Sequence, residues 1–188
     1  EAEVNTNAPG KVKLEVIADA GSDVITAAEI HTDGKLTKQF EIPDAKLWSV
    51  NTPNLYQLRV TFVAEQENGQ NKCMETDQEE VIFGIRTLKW DEEKGITING
   101  ERVILRGACI HHDNGVLGAC CYPDAEARKI RILKENGYNA IRSAHNPCSK
   151  ALLEACDRQG MLVMDEFVDV WYIHKTEYDY VNYFKEWW

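Results

Sequence analysis

The stretch Ala140-Ile141-Arg142-Ser143-Ala144-His145-Asn146 decides the fold of the second half of this chain. Ala140-Ile141 is predicted to be a short strand, and polar residues follow it at once. Helical patterns flank the stretch on both sides, and a strand between two helices is the unit from which parallel sheets are built. We therefore expect an α/β domain here, with the polar residues at the carboxyl end of a strand.

A helix is predicted on each side of this strand. Asp124 is the expected N-cap of the first helix, after Pro123, and Asn136-Gly137 is the signal for its end. Ser149 is the expected N-cap of the second helix, which should end at Gly160. Two capped helices predict two crossover connections between parallel strands.

Two further strands complete the predicted parallel sheet. Val103-Ile104-Leu105 is a continuous apolar run upstream of the first helix, as buried parallel strands are. Met161-Leu162-Val163-Met164 is the third strand, directly after the second helix. The order strand, helix, strand, helix, strand is typical of right-handed crossovers in a parallel sheet.

A polar cluster follows each of the three predicted strands. Parallel strands end at the same edge of a sheet, so we expect the clusters to meet on one rim. In (β/α) barrels that rim holds the active site. The clusters are His111-His112-Asp113-Asn114, Arg142-Ser143-Ala144-His145-Asn146 and Asp165-Glu166.

The histidine cluster could also be a solvated loop or a metal site. His111 and His112 could be a solvated loop pair, or they could join Asp113 and His145 as ligands in a metal-dependent hydrolase. His145, which precedes Asn146-Pro147, could also be a turn residue. Adjacent residues rarely bind one ion together, which disfavours the metal site.

The acidic pair has alternatives as well. Arg142 could form a buried structural ion pair with Asp165. Asp165 and Glu166 resemble the two carboxylates of a glycosidase, but neighbours on a strand point to opposite faces. Two carboxylates that flank one bond at about 5–5.5 Å normally come from different strands. We therefore do not expect this pair to break a glycosidic bond.

The first part of the chain predicts an all-β domain. Residues 11–17 and 56–62 alternate polar and apolar side chains, as half-buried strands do. Short strands separated by turn signals favour a sandwich. Asn99-Gly100 predicts a type I′ hairpin further along. We place the domains at residues 1–86, a sandwich, and 87–188, the α/β part.

Composition limits the classes of partner. The 188 residues suit one or two domains and carry a net charge of −10, which disfavours nucleic acid and anionic membranes. No apolar run approaches the ~20 residues that span a bilayer. No signal peptide is visible in this sequence, so a periplasmic, a secreted and a cytoplasmic location all stay open. The six cysteines contain no C-x-x-C pair.

Several motifs resemble glycoside hydrolase family 2, the β-galactosidase/β-glucuronidase family. The resemblance implies an all-β immunoglobulin-like sandwich followed by the first three βα units of an incomplete (β/α)8 TIM barrel. The motifs are Trp48-Ser-Val-Asn-Thr-Pro-Asn-Leu-Tyr56, Phe83-Gly-Ile-Arg86, Arg106-Gly-Ala-Cys-Ile-His-His-Asp113, Ile141-Arg-Ser-Ala-His-Asn-Pro147 and Cys156-Asp-Arg-Gln-Gly160 through Val163-Met-Asp-Glu166.

The same resemblance implies a substrate-binding set. His111 matches a histidine that lines the sugar subsite, and His145 matches one that contacts the sugar in the transition state. Arg142 matches the arginine beneath the nucleophile, and Cys109 stands where the family often has asparagine. The whole implied set is His111, His112, Asp113, Arg142, His145, Asn146, Asp165, Glu166 and Trp171.

The resemblance places both catalytic carboxylates outside this chain. The family's acid/base glutamate follows the fourth barrel strand and its nucleophile follows the seventh, beyond Trp188. The chain would then carry sugar-positioning groups of a retaining exo-glycosidase and be inactive alone. β-Galactosides are the first expected substrate, followed by β-glucuronides and β-mannosides. No cofactor is expected here, and a divalent cation of the full-length enzyme would have its ligands elsewhere.

Other outcomes remain open at this point. The sandwich alone fits a non-catalytic carbohydrate-binding or adhesion module, although the barrel-like second half disfavours it. The strand at 161–164 lacks its next barrel neighbour. An open strand edge favours self-association, so we expect either a loosely ordered barrel part or a homo-oligomer formed through this edge.

Overall fold

A computed structural model describes residues 2–3, 10–18, 21, 23–32, 35–64, 74–166 and 186. They fall into two units, Glu1–Leu88 and Lys89–Trp188. No helix in these described ranges is long and apolar enough to cross a membrane. In chain order the elements are β1 (Ala2–Glu3), β2 (Gly10–Ala18), β3 (Val24–Thr32), β4 (Lys35–Leu36), β5 (Tyr56–Ala64), β6 (Met74–Phe83), β7 (Leu88–Asp91), β8 (Gly95–Ile98), β9 (Glu101–Arg102), β10 (Gly107–Ile110), a 3₁₀ turn (Gly115–Leu117), α1 (Pro123–Glu135), β11 (Ala140–Ser143), α2 (Lys150–Gln159) and β12 (Leu162–Asp165).

The first unit is built on an antiparallel sheet with the strand order β3-β2-β5-β6. The predicted strands at 11–17 and 56–62 are confirmed as β2 and β5. Val12 and Leu14 of β2 are buried and cluster with Leu36 of β4, which pairs with β1. The alternation in β2 therefore turns one face of the sheet towards the core of this unit.

Trp48 packs against the segment that follows β6 in the first unit. Its ring is buried, and its backbone N–H donates to the carbonyl oxygen of Ile85 at 2.8 Å. The Arg86 guanidinium lies 4.7 Å from the ring centroid. A Cβ atom on Gly84 would lie 3.0 Å from the Trp48 Cβ, so this close approach favours glycine.

The predicted hairpin is confirmed at the start of the second unit. β8 and β9 pair with the register Thr97↔Arg102 and Ile98↔Glu101, which leaves a two-residue loop. Asn99 and Gly100 both have positive φ, 54° and 85°, as a type I′ turn requires. With β7 these strands form a three-stranded sheet.

The parallel sheet has the order β10-β11-β12, and α1 and α2 connect its strands. The predicted alternation of strand and helix is confirmed up to β12. A third helix would fall outside the described residues. The core of the unit lies between the helices and one face of this sheet, and its buried residues are Ile130, Ile141, Leu152, Ala155, Cys156 and Met161.

The position predicted for the first parallel strand is wrong. Ile104 and Leu105 are 63% and 43% exposed and belong to a connecting segment. The Asn139 side chain pins this segment, because it accepts from Arg106 N at 2.8 Å and donates to the Ile104 carbonyl at 2.9 Å. The parallel ladder begins only at Gly107, opposite Ala140.

The predicted N-cap of the first helix is also wrong. α1 begins at Pro123, and the cap residue is Tyr122, which makes no side-chain capping bond. Proline suits the first helical position because it has no N–H to satisfy and its φ is already helical. Asp124 lies in the first turn, where its charge favours the helix dipole.

The other predicted helix ends are confirmed. Ser149 accepts a hydrogen bond from Leu152 N, and Gly160 ends α2 in the left-handed region with φ 72°. Asn136 caps the end of α1, and Gly137 follows with φ 84°. These positions depend only on local chemistry, which is why the pattern of residue types located them.

Candidate active site

The three parallel strands end at one edge of their sheet. The register pairs Ile110 with Ser143 and Ser143 with Asp165. His111 follows directly after Ile110, and Glu166 follows directly after Asp165. Residues from the three predicted polar clusters therefore lie at the same carboxyl edge.

Side-chain alternation decides which face of the sheet each residue occupies. Arg142 is in register with Cys109 and Met164, so these three share the face opposite the helices. Ile141 lies on the other face and is buried in the helical core. Glu166 comes two positions after Met164 and therefore returns to the face of Arg142.

Arg142 contacts both a carboxylate and a thiol on this face. Its Nη2 donates to Glu166 Oε1, and its Nη1 donates to Cys109 Sγ at 3.3 Å. These hydrogen bonds, to Cys109 and then to Glu166, raise the pKa of Arg142. The guanidinium is therefore fixed in direction and stays charged.

Glu166 bridges two segments at the rim. While Oε1 accepts from Arg142, Oε2 accepts from the backbone N–H of His145. The His145 Nδ1 atom lies 3.8 Å from the same Oε2. His145 has φ 78°, a left-handed conformation that a non-glycine residue adopts only when its surroundings hold it.

The imidazole rings lie side by side at this edge. The ring centroids of His111 and His145 are 5.2 Å apart, tilted by 46°. His112 Nδ1 lies 3.2 Å from Asn146 Nδ2, and Ser143 Oγ donates to the Asn146 carbonyl at 2.8 Å. The arrangement offers several hydrogen-bonding groups on one surface, which suits a polyhydroxylated ligand.

Two of the predicted carboxylates make different contacts. Asp165 Oδ1 accepts from Cys148 N at 2.9 Å, so the proposed Arg142–Asp165 pair is wrong and Glu166 is the partner. The register explains the error, because Asp165 shares the strand face of Ser143. Asp113 Oδ1 accepts from Gly115 N at 2.9 Å and so stabilises its own loop. Trp171 lies outside the described residues.

The metal alternative gains no support from this geometry. Among the described residues, no group of three or more His, Cys, Asp or Glu side chains is placed to hold an ion. Asp113, one of the four residues of that hypothesis, already accepts from the Gly115 amide.

Sequence reasoning missed the contact of Cys109 with Arg142, and it missed Glu126. Cys109 was noted only as standing where the family often has asparagine, and the strand register is what places it beside Arg142. Glu126 is a fully buried carboxylate on α1. Its signal was available, because it precedes the inward-facing Ile130 by four positions, the spacing of one helix face.

Family comparisons add to this geometry. A model described as "Glycosyl hydrolases family 2" matches residues 1–86, and the TIM barrel domain model of that family matches residues 91–179. The chain belongs to glycosyl hydrolases family 2. It is therefore a glycoside hydrolase by family, with a sandwich domain followed by the start of a TIM barrel.

Curated relatives in the family carry glycosidase names. The chain is 42% identical over 170 residues to a β-galactosidase of Bacteroides ovatus, which covers 90% of this chain and 18% of that protein. It is 34% identical over 179 residues to a putative β-glucuronidase of Formosa agariphila, covering 95% and 16%.

Solved structures show the same relationship. A glycosyl hydrolase family 2 member from Bacteroides cellulosilyticus is 37% identical, with a TM-score of 0.76 over 95% of this chain and 23% of that one. A β-glycosidase from Bacteroides vulgatus is 32% identical, with a TM-score of 0.79 over 100% and 23%. The chain spans less than a quarter of the length of these relatives.

Proposed function

We propose that this chain supplies the sugar-positioning part of a retaining exo-glycosidase that acts on terminal β-linked sugars, with β-galactosides as its first substrate. The observation that carries the proposal is the meeting of Arg142, Glu166, His145 and His111 at the carboxyl edge of three parallel strands. That edge is where barrel enzymes place their active sites. Within the proposal, residues 1–86 are the immunoglobulin-like sandwich and residues 87–188 provide the first three βα units.

Each group has a chemical role in this proposal. His111, His145 and Asn146 offer ring and amide nitrogens that can hydrogen-bond sugar hydroxyls. Arg142, held by Glu166, orients the nucleophile that the rest of the barrel supplies. One glutamic acid there protonates the leaving oxygen and the other attacks the anomeric carbon. The residues of this chain contribute by fixing the geometry of reaction.

Two observations support a neutral sugar over a uronic acid. The 42% identical relative is named a β-galactosidase, whereas the 34% identical one is a putative β-glucuronidase. Arg142, a cation at this edge, is already paired with Glu166. A paired guanidinium is less available for the carboxylate of a uronate.

A chimera tests this proposal. Residues 1–188 replace the matching segment of the Bacteroides ovatus β-galactosidase, and kcat/KM is measured for aryl β-galactoside, β-glucuronide and β-mannoside. We expect the galactoside to be hydrolysed fastest, while the 188-residue chain alone gives no turnover above buffer. A folded chimera that prefers the glucuronide would contradict the substrate. Turnover by the pure isolated chain that Glu166→Gln abolishes would contradict the assignment of positioning roles.

A further inference from the structure

Glu126 is an ionisable residue in an apolar place. It lies on α1 with 0% of its surface exposed, on the same helix face as Ile130. Burying a carboxylate is unfavourable unless charges and hydrogen bonds compensate it, and an apolar side chain would fill the same space without that cost. The presence of glutamate at position 126, in place of an apolar residue, therefore needs an explanation.

The compensating partners come from a loop and from the helix itself. Glu126 Oε1 accepts from Asn114 Nδ2 at 2.8 Å, and Lys129 Nζ lies 3.0 Å from Oε2. Burial by itself would raise the pKa of Glu126. Hydrogen bonds from Asn114, Lys129 and Cys121, together with the positive charge of Lys129, outweigh the effect of burial, so the pKa is lowered. The carboxylate is charged at neutral pH.

Asn114 is the centre of the loop that Glu126 holds. Its Nδ2 also donates to the Cys120 carbonyl at 2.9 Å. Its backbone N–H donates to the Gly118 carbonyl at 2.8 Å, and its carbonyl accepts from Leu117 N at 3.2 Å. This loop, residues 113–120, follows directly after His111 and His112.

We propose that Glu126 is a positioning residue of the candidate active site. Its buried carboxylate fixes the Asn114 amide, Asn114 holds the loop against α1, and the loop sets the His112 ring beside Asn146. The proposal rests on the proposed function only in calling this edge a sugar site. Its structural content, the coupling of Glu126 to His112, is tested without any sugar.

Three variants of the 188-residue chain test the coupling. Glu126→Leu removes the hydrogen-bond acceptor and fills its space with an apolar side chain. Glu126→Gln keeps a side-chain oxygen that can accept from Asn114. Glu135→Gln is the control, because it changes an exposed carboxylate of the same helix. Amide exchange is measured at Asn114 and Leu117, and ring signals of ¹⁵N-labelled histidines are recorded. For Glu126→Leu we expect about tenfold to hundredfold faster exchange and a shifted His112 signal. For Glu126→Gln, the exchange rates and the His112 signal should be close to those of the wild type. For Glu135→Gln, both should be the same as in the wild type.

The outcomes separate positioning from simple stabilisation. If Glu126→Leu only changes the stability of α1 and leaves the His112 signal in place, the proposal is overturned. If that variant does not fold, Asn114→Ala breaks the same link from the partly exposed loop side and must shift the His112 signal. An unchanged His112 signal in Asn114→Ala also overturns the proposal. Sugar binding enters neither readout, so failure here is distinct from failure of the proposed function.

Discussion

Two neighbouring acidic residues at the end of β12 have separate roles. Asp165 accepts from the Cys148 amide, whereas Glu166 accepts from Arg142 and from the His145 amide. Alternation along the strand turns the two side chains to opposite faces. Of these two carboxylates, only Glu166 can therefore influence the direction of the Arg142 guanidinium.

Arg142→Ala should lower kcat/KM of the chimera for aryl β-galactoside by about 10²–10³-fold, the loss typical of one preorganised electrostatic group. The reason is that its fixed charge lies at the edge where the reacting groups meet. Steady-state kinetics over a range of substrate concentrations measure the change.

Arg59→Ala is the matched control, since Arg59 pairs with Glu80 on the sandwich sheet. It should leave kcat/KM unchanged. Asp165→Asn should cost less activity than Glu166→Gln, because Asp165 lies on the helix-facing side of the strand. Equal losses of kcat/KM in Arg142→Ala and Arg59→Ala would show that Arg142 has no specific role at the site.

The polar clusters could be predicted from the sequence, but their pairings could not. Residue type and strand ends located His111, Arg142, His145 and Glu166, since each depends on a local pattern. The choice of Glu166 over Asp165 as partner of Arg142 depends on strand register. Register is a non-local property that one sequence does not display.

At the scale of elements, local and non-local signals behave differently. The hairpin at Asn99-Gly100 was predicted correctly because its turn type follows from two residues. The first parallel strand was misplaced at 103–105, because an apolar run does not indicate which strand it pairs with. Val103 N donates to the Ile96 carbonyl at 2.9 Å, so the run begins by extending the antiparallel hairpin.

Gly100→Ala should destabilise the second unit by about 1–2 kcal/mol, the cost of a left-handed conformation for an L-residue. Gly100 has φ 85°, and a Cβ atom there would meet nothing within 4 Å, so the penalty arises from the backbone alone. Urea unfolding followed by circular dichroism measures it. Gly100→Asn is the control and should lose less, since asparagine tolerates this region. Equal losses would point to a side-chain clash instead.

Glu126 should make the stability of the second unit depend on pH. Its folded pKa is lowered from the ordinary 4.5, so the folded state binds its proton less readily than the unfolded state. The stabilisation is therefore present above the unfolded pKa and is lost as pH falls through the folded pKa. The difference in unfolding free energy between wild type and Glu126→Gln should shrink between about pH 5 and pH 3.

The helix signal in circular dichroism during urea unfolding measures this difference, because α1 and α2 both lie in the second unit. Glu135→Gln again serves as control, since Glu135 is exposed and pairs with Arg131 on the surface. A difference that stays constant over this pH range would show that the Glu126 charge does not contribute.

At the scale of the whole molecule, the parallel sheet is the incomplete element. Among the described residues, β10 and β12 each pair with β11 alone, which leaves one edge of each strand without a partner. Met164 on β12 is 60% exposed, on the face opposite the helices. A closed barrel of this type has eight strands and covers such a face with its own side chains.

The 188-residue chain should therefore self-associate through this sheet. Unpaired strand edges and exposed apolar side chains are the usual templates for pairing between copies. Sedimentation velocity should show a concentration-dependent oligomer, and Met164→Lys should weaken it. Val116→Lys is the control, because Val116 is fully exposed on the 3₁₀ turn and belongs to no strand of the sheet. Amide protection should be stronger in β2 and β5 than in β12. A monomer at high concentration with β12 strongly protected would mean that the chain covers its own open edge.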